Sequence, residues 1–112
     1  MPASNVLRRT RDVTRQINFD AINRAALPLL LSLLRRWLPD GRVEGQEYVA
    51  RNPTRADRRP GSFKINLDTG RWADFATGDK GGDVVSLAAH LVGTGQAEAA
   101  RNLAVMIGVR DD

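Results

Sequence analysis

The stretch from Arg59 to Gly93, which reads RPGSFKINLDTGRWADFATGDKGGDVVSLAAHLVG, constrains the fold of this chain more than any other part of it. Between positions 63 and 67, apolar residues alternate with polar ones, which is the period of a strand with one buried face. The turn sequence 68–70 follows, and residues 71–75 are predicted to return antiparallel to the first strand. The sequence therefore predicts a β-hairpin at the centre of the domain.

The hairpin contains a tryptophan, Trp72, whose position depends on the length of the turn. A three-residue loop places Trp72 beside Lys64 and Asn66, on the polar face of the hairpin. A two-residue loop places it beside Ile65 and Leu67, on the apolar face. The sequence leaves both registers open.

A glycine-rich loop at 77–82 and a helix follow the hairpin. Asp83 is a favourable N-cap for that helix, which carries apolar residues on one side, and Gly93 is expected to end it. The sequence therefore predicts a helix between Asp83 and Gly93, directly after the loop.

A last helix is predicted to run to Gly108. Its expected N-cap is Gly95 or Thr94, and Glu98 would complete a capping box if Gly95 is the cap.

Two helical segments are predicted before the sheet, in a helical extension that covers residues 17–41. Asp20 is the expected N-cap of the first segment, and Pro28 is expected to kink the helix or to begin a second one. An apolar stripe at three- and four-residue spacing follows, and it favours a face packed in the core over a groove for a cofactor or partner. The stripe comprises Leu30, Leu33, Leu34, Trp37 and Leu38.

The remaining elements complete an α+β fold. A short strand is expected around Tyr48 and Val49, so the predicted sheet is small and antiparallel, with about three strands. It packs with the N-terminal helical segments and with two C-terminal helices. We expect a single domain over 17–112, preceded at 1–16 by a basic flexible tail.

Charge is unevenly distributed along the chain. Residues 1–60 contain 12 Arg, no Lys and 6 acidic residues, a net charge of +6, whereas residues 61–112 contain 5 basic and 7 acidic residues, a net charge of −2. Guanidinium groups bind phosphate oxygens in a bidentate way, so the first half favours a nucleic-acid partner. The alternative is a solubilising surface without a specific partner.

Composition also excludes several classes of protein. The chain has no cysteine, which excludes disulfides and thiolate ligands to a metal. It has no secretion signal, and no apolar stretch approaches the ~20 residues that a membrane span needs. We therefore expect a cytoplasmic protein with no membrane partner.

Several short motifs follow the order found in the Cys-His-Cys-Cys zinc-binding domain of bacterial, phage and mobile-element DNA primases. Pro60-Gly61-Ser62-Phe63 resembles the Pro-Ser-Phe strand of that family, with one inserted glycine. Gly81-Gly82-Asp83, Glu98-Ala99 and Ile107-Gly108-Val109 resemble later motifs of the family in their order. The resemblance covers residues 46–109 and implies a zinc-ribbon-like core there.

The four zinc-ligand positions of that family are all changed in this chain. Asn52-Pro53-Thr54-Arg55 stands in place of Cys-Pro-x-His, and Asp74-Phe75-Ala76-Thr77-Gly78 in place of Cys-x-x-Cys-Gly. Zinc needs about four N, S or O donors, and this set includes a cation, so we expect no metal and no other cofactor. In compensation we expect the leucine-rich helices to pack on the hairpin and Arg55 to pair with Asp74. The alternative is that Arg55 is a solvated loop residue.

Resemblance and charge together predict a non-catalytic module that binds single-stranded template DNA, in a replication primase or primase-helicase. The candidate contacts are basic residues of the loop and of the hairpin, together with Trp72 if its ring faces outward; each could instead be an ordinary solvated residue. The set comprises Arg51, Arg55, Arg58, Arg59, Lys64, Arg71 and Trp72. The rival function is an adaptor that docks on a helicase or polymerase partner through an apolar helix surface, without binding DNA.

No arrangement of residues predicts an enzyme. The segment 78–83 lacks the residue order of a P-loop, and Asp79 and Asp83 would repel an anion from the start of the helix. His90, the single histidine, lies among Ala and Leu without a nucleophile spaced around it, so we expect a structural role. In the family that the chain resembles, the catalytic machinery lies in a separate polymerase domain. We therefore expect no catalytic residues here.

Overall fold

The computed structural model describes residues 17–52 and 62–109, in which two helices precede an antiparallel sheet and two helices follow it. The elements are α1 (Phe19–Ala26), a 3₁₀ turn (Leu27–Leu29), α2 (Leu30–Trp37), β1 (Arg42–Glu44), β2 (Glu47–Ala50), β3 (Phe63–Asn66), β4 (Trp72–Asp74), β5 (Lys80–Gly81), α3 (Val84–Val92) and α4 (Gln96–Ile107). The α+β class predicted from the sequence is confirmed. Across these two ranges, no helix has both the length and the apolar character that crossing a membrane requires.

The first two helices are separated at Pro28, as predicted, since the proline lies in the 3₁₀ turn between them. The predicted N-cap was wrong. Asn18 caps α1, and its Oδ1 accepts a hydrogen bond from the backbone N–H of Ala21 at 3.0 Å. Asp20 lies in the first turn instead and pairs with Arg24 one turn later. Both Asn18 and Asp20 are favourable caps, and the helix begins at the earlier one.

The sheet has five antiparallel strands in the order β1-β2-β3-β4-β5, whereas the sequence predicted about three. The two additional strands lie at the edges. β1 has three residues, all exposed, and β5 has two residues inside the predicted glycine loop. Both are shorter than the four to eight residues over which the alternation of a half-buried strand is detected, which explains why both were missed.

The strand register places Trp72 on the apolar face of the sheet. Trp72 lies opposite Ile65, and Ile65 lies opposite Tyr48 on the other side. All three side chains are buried, with Trp72 only 6% exposed. The turn between β3 and β4 ends at Gly70, whose φ of +82° favours glycine.

The four helices cover this apolar face, so the helical extension and the hairpin share one core, as predicted. The buried cluster includes Ile22, Leu30, Leu34, Phe63, Ile65, Trp72, Leu87 and Leu103. Hydrogen bonds also tie the helices to their surroundings. Tyr48 Oη donates to the carbonyl of Leu38 at 2.7 Å, and the N–H of Val85 donates to Asn23 Oδ1 at 2.9 Å.

The C-terminal helices begin and end near the predicted residues. Asp83 caps α3 and forms a capping box with Ser86, and Gly93 ends the helix in the left-handed conformation. Gly95 is the N-cap of α4, but no side chain caps it. The capping box expected from Glu98 therefore does not form, and this residue contributes only a negative charge in the first turn.

Candidate nucleic-acid interface

Two of the four positions that the resemblance assigns to zinc ligands meet in the interior. Asn52 and Asp74 are 1% and 0% exposed. The side-chain amide of Asn52 donates to Asp74 Oδ2 at 2.8 Å, although the two residues are 22 positions apart. A polar pair thus lies at two of the positions where the resembled family has zinc ligands.

His90 joins this pair from helix α3. Asn52 Nδ2 lies 3.1 Å from His90 Nε2, and the imidazole ring packs on the Trp72 ring with 4.6 Å between centroids. The Asn52 amide nitrogen carries two hydrogens, so it can face Asp74 and His90 at the same time. In this arrangement His90 packs on Trp72 and lies within hydrogen-bond distance of Asn52.

The donors at this position do not fit zinc. The Asp74 carboxylate and the His90 imidazole are both engaged by the same Asn52 amide, whose nitrogen is a donor and not a ligand. In residues 17–52 and 62–109 no group of three or more His, Asp or Glu side chains could hold a metal ion. Thr77, the third of the four positions, is exposed and donates instead to Asp79 Oδ2 at 3.0 Å. The fourth position, Arg55, and its predicted pairing with Asp74 lie outside the described residues.

Asp74 also organises the turn that follows β4. Its Oδ1 accepts from the N–H of Ala76 at 2.9 Å, and its carbonyl accepts from the N–H of Gly78 at 2.8 Å. The N–H of Phe75 extends the β-ladder by donating to the carbonyl of Ser62 at 2.7 Å. Buried polar bonds therefore fix the backbone on both sides of Phe75.

The outer face of the sheet, opposite the helices, carries the basic side chains. Lys64, Ala73 and Lys80 are direct neighbours on β3, β4 and β5. Arg71 precedes β4 and is exposed. Two shallow concavities share Arg71, Trp72 and Ala73 as lining: one extends to Lys80 and the other to Lys64 and Phe75. We call the set Lys64, Arg71, Phe75 and Lys80 the outer-face cluster.

The predicted DNA contacts divide into three groups. Lys64 and Arg71 belong to the outer-face cluster, and Arg51 is exposed just after β2. Trp72 is buried, and its Nε1 donates to Ser86 Oγ at 2.9 Å. It was a candidate only if its ring faced outward, and the ring faces inward. The remaining three, Arg55, Arg58 and Arg59, lie outside the described residues.

Sequence reasoning missed two members of the outer-face cluster, Phe75 and Lys80. Phe75 is 70% exposed, and the ammonium nitrogen of Lys64 lies over its ring, 5.7 Å from the centroid. The signal was present: residues 73 and 75 of a strand must face away from residues 72 and 74. Lys80 was hidden because β5 itself was not predicted.

Among the residues that line the two concavities, Glu47 is the one carboxylate. Glu47 lines the same concavity as Lys64 and Phe75. It disfavours an anion at that end, so the side formed by Arg71 and Lys80 is the more favourable place for a phosphate.

Comparison with known proteins places this arrangement in a known fold. The chain is similar to the solved structure of the Aquifex aeolicus primase, determined with its zinc-binding and RNA polymerase domains, with a TM-score of 0.72 and 22% sequence identity. The match covers 87% of this chain and 23% of that one. No family model matches the chain, and no curated protein matches it. The chain therefore has a primase-like fold.

Proposed function

We propose that this chain is a non-catalytic module that binds single-stranded DNA in the cytoplasm, related to replication primases or primase-helicases. The observation that carries the proposal is the outer-face cluster. Three cationic side chains and one exposed aromatic ring lie together on the sheet face that the helices leave open. The primase-like fold supports the primase-related part of the proposal.

The chemistry of the cluster suits a polyanion. Lys64, Arg71 and Lys80 provide three cations on one surface. Arg51, which is exposed directly after the last residue of β2, provides a fourth. Each phosphate contact releases counterions, so log K falls with log salt by about 0.7 per contact on a single strand. Three to four contacts predict that affinity falls about 20- to 50-fold between 50 and 200 mM salt.

The test is a titration of a labelled mixed-sequence single strand at those two salt concentrations. We expect the double variant Arg71→Glu/Lys80→Glu to lose most of the binding and most of the salt dependence. The matched control is Arg36→Glu/Arg101→Glu, which changes the net charge equally at exposed positions on helices α2 and α4. Equal losses in the two variants would mean that net charge alone attracts DNA. A wild-type chain that ignores DNA at 50 mM salt would refute the proposal.

A second candidate function is a protein-interaction adaptor, and a groove between α3 and α4 favours it. The groove has a volume of about 340 Å³ and no charged lining residue. Its walls include Trp37, Leu91, Val92 and Met106, of which Val92 is 69% exposed. An apolar surface of this kind would dock on a helicase or polymerase partner with little dependence on salt, which distinguishes it from DNA binding.

A further inference from the structure

Phe75 is presented to solvent by a fixed backbone. The chain has six aromatic residues, all of them within the described ranges, and Phe75 is far more exposed than the next, Phe19, at 38%. A singly exposed apolar residue is common, but Phe75 lies on the same sheet face as Lys64 and Lys80, and this combination of a ring with cations suggests a ligand. The hydrogen bonds of Asp74 and Ser62 around it hold the backbone of Phe75 in a defined place.

The surroundings of the ring indicate what that ligand is. The Lys64 ammonium lies over one face of Phe75, so the opposite face is the one that a ligand can cover. Lys64, Ala73 and Lys80 form a row across three strands, which places the two lysines about 10 Å apart. Phe75 lies two residues after Ala73 and Arg71 two residues before it. An aromatic platform flanked by separate cations matches a flat base joined to phosphates on either side.

We propose that Phe75 is a stacking platform for one unpaired base, while Lys80, and Arg71 further away on the same sheet face, hold phosphates of the adjoining backbone and Lys64 supports the ring from behind. The inference rests on the proposed function and deepens it, because it assigns single-strand selectivity to one residue. A base inside a duplex already has both faces stacked, so it cannot use the platform without being extruded. The site therefore selects unpaired nucleotides.

The experiment compares a normal single strand with an abasic strand of equal length, which keeps the phosphates and lacks the bases. For the wild type we expect a preference for the normal strand of about 5- to 150-fold, the range that 1–3 kcal/mol of stacking gives. Phe75→Ala should reduce this preference towards one and leave the salt dependence unchanged. Phe75→Trp should restore or increase it, since indole also stacks on a base.

The control is Phe19→Ala, which removes an exposed ring on helix α1, away from the sheet. It should leave the preference as in the wild type. If Phe75→Ala keeps the wild-type preference while binding stays salt-dependent, the platform is wrong and the proposed DNA-binding function stands. If the wild type binds neither strand at 50 mM salt, both are wrong.

Discussion

Asn52 and Asp74 are the two polar residues that the structure buries fully within its described ranges. A buried carboxylate needs hydrogen-bond donors, because leaving it unsatisfied costs more than leaving a neutral group unsatisfied. Asn52 supplies one such donor from the end of β2, and the N–H of Ala76 supplies another. The hydrogen bonds of this pair do part of the organising that a bound ion does in a zinc ribbon: they join the strand before the loop to the turn after β4.

We predict that Asn52→Ala lowers the free energy of unfolding by about 1–3 kcal/mol. The substitution removes a hydrogen-bond donor from the buried Asp74 carboxylate and the amide that contacts His90. Denaturant titration of wild type and variant measures this difference. Asn102→Ala is the matched control, since Asn102 is exposed on α4 and its loss should change stability by less than about 0.5 kcal/mol. Equal effects of the two variants would show that the pair does not stabilise the fold.

At the same scale, Phe75 and Trp72 show what could be predicted for the site. The alternation of β4 places these two residues on opposite faces, so one of them had to be exposed. Which one depends on the turn after β3, and the turn sequence was compatible with both registers. The contact of Asn52 with Asp74 and His90 was beyond prediction, because it joins three elements that only the folded structure brings together.

Elements with strong local signals were predicted well. Asp83 and Gly93 bound α3 as expected, because a cap and a left-handed glycine act through nearby backbone groups. β3 was predicted from its alternation. The short edge strands β1 and β5 were missed because their pairing with β2 and β4, and not their own sequence, makes them strands.

The link between β2 and the end of α2 leads to a prediction about pH. Burial raises the pKa of Tyr48 above its usual 10.0, which the positive charge of Arg35 partly offsets and Asp40 reinforces. Because the pKa of Tyr48 is raised in the folded state, the contribution of this residue to stability is fully present below about pH 10. That contribution is lost as the pH rises through the folded-state pKa. The anion also cannot donate to the Leu38 carbonyl.

We therefore expect the stability advantage of the wild type over Tyr48→Phe to be about 0.5–1.5 kcal/mol at pH 7–9 and to decrease above pH 10. Unfolding curves at several pH values measure it. Because Tyr48 is the single tyrosine, the difference between the two proteins isolates this group from lysines that titrate in the same range. A constant difference up to pH 11 would show that the hydroxyl does not link the two elements.

At the scale of the whole molecule, the two faces of the sheet have separate tasks. Four helices and the inner face form one apolar core, which stabilises the domain through burial. Because the helices cover the inner face only, the outer face can carry charged side chains and the exposed ring of Phe75. A charged side chain could not be buried in the core without a partner. A small ribbon that depends on a metal gains its stability at the ion, whereas the described residues of this chain form a core that includes all four helices.

If the apolar core stabilises the domain, removing metal ions should leave its thermal stability unchanged. A structural zinc contributes on the order of 10 kcal/mol of apparent binding free energy, so a domain that needs it unfolds when a chelator is added. We expect the melting temperature of this protein to be the same in excess chelator and in excess zinc, and elemental analysis to find no stoichiometric metal.

The matched comparison is the variant Asn52→Cys/Arg55→His/Asp74→Cys/Thr77→Cys, which places the ligand types of the resembled family at the four positions. It should bind zinc, and a chelator should lower its melting temperature by far more than that of the wild type. A wild-type protein that melts at lower temperature in chelator would mean that an ion, and not the helical core, holds the sheet together.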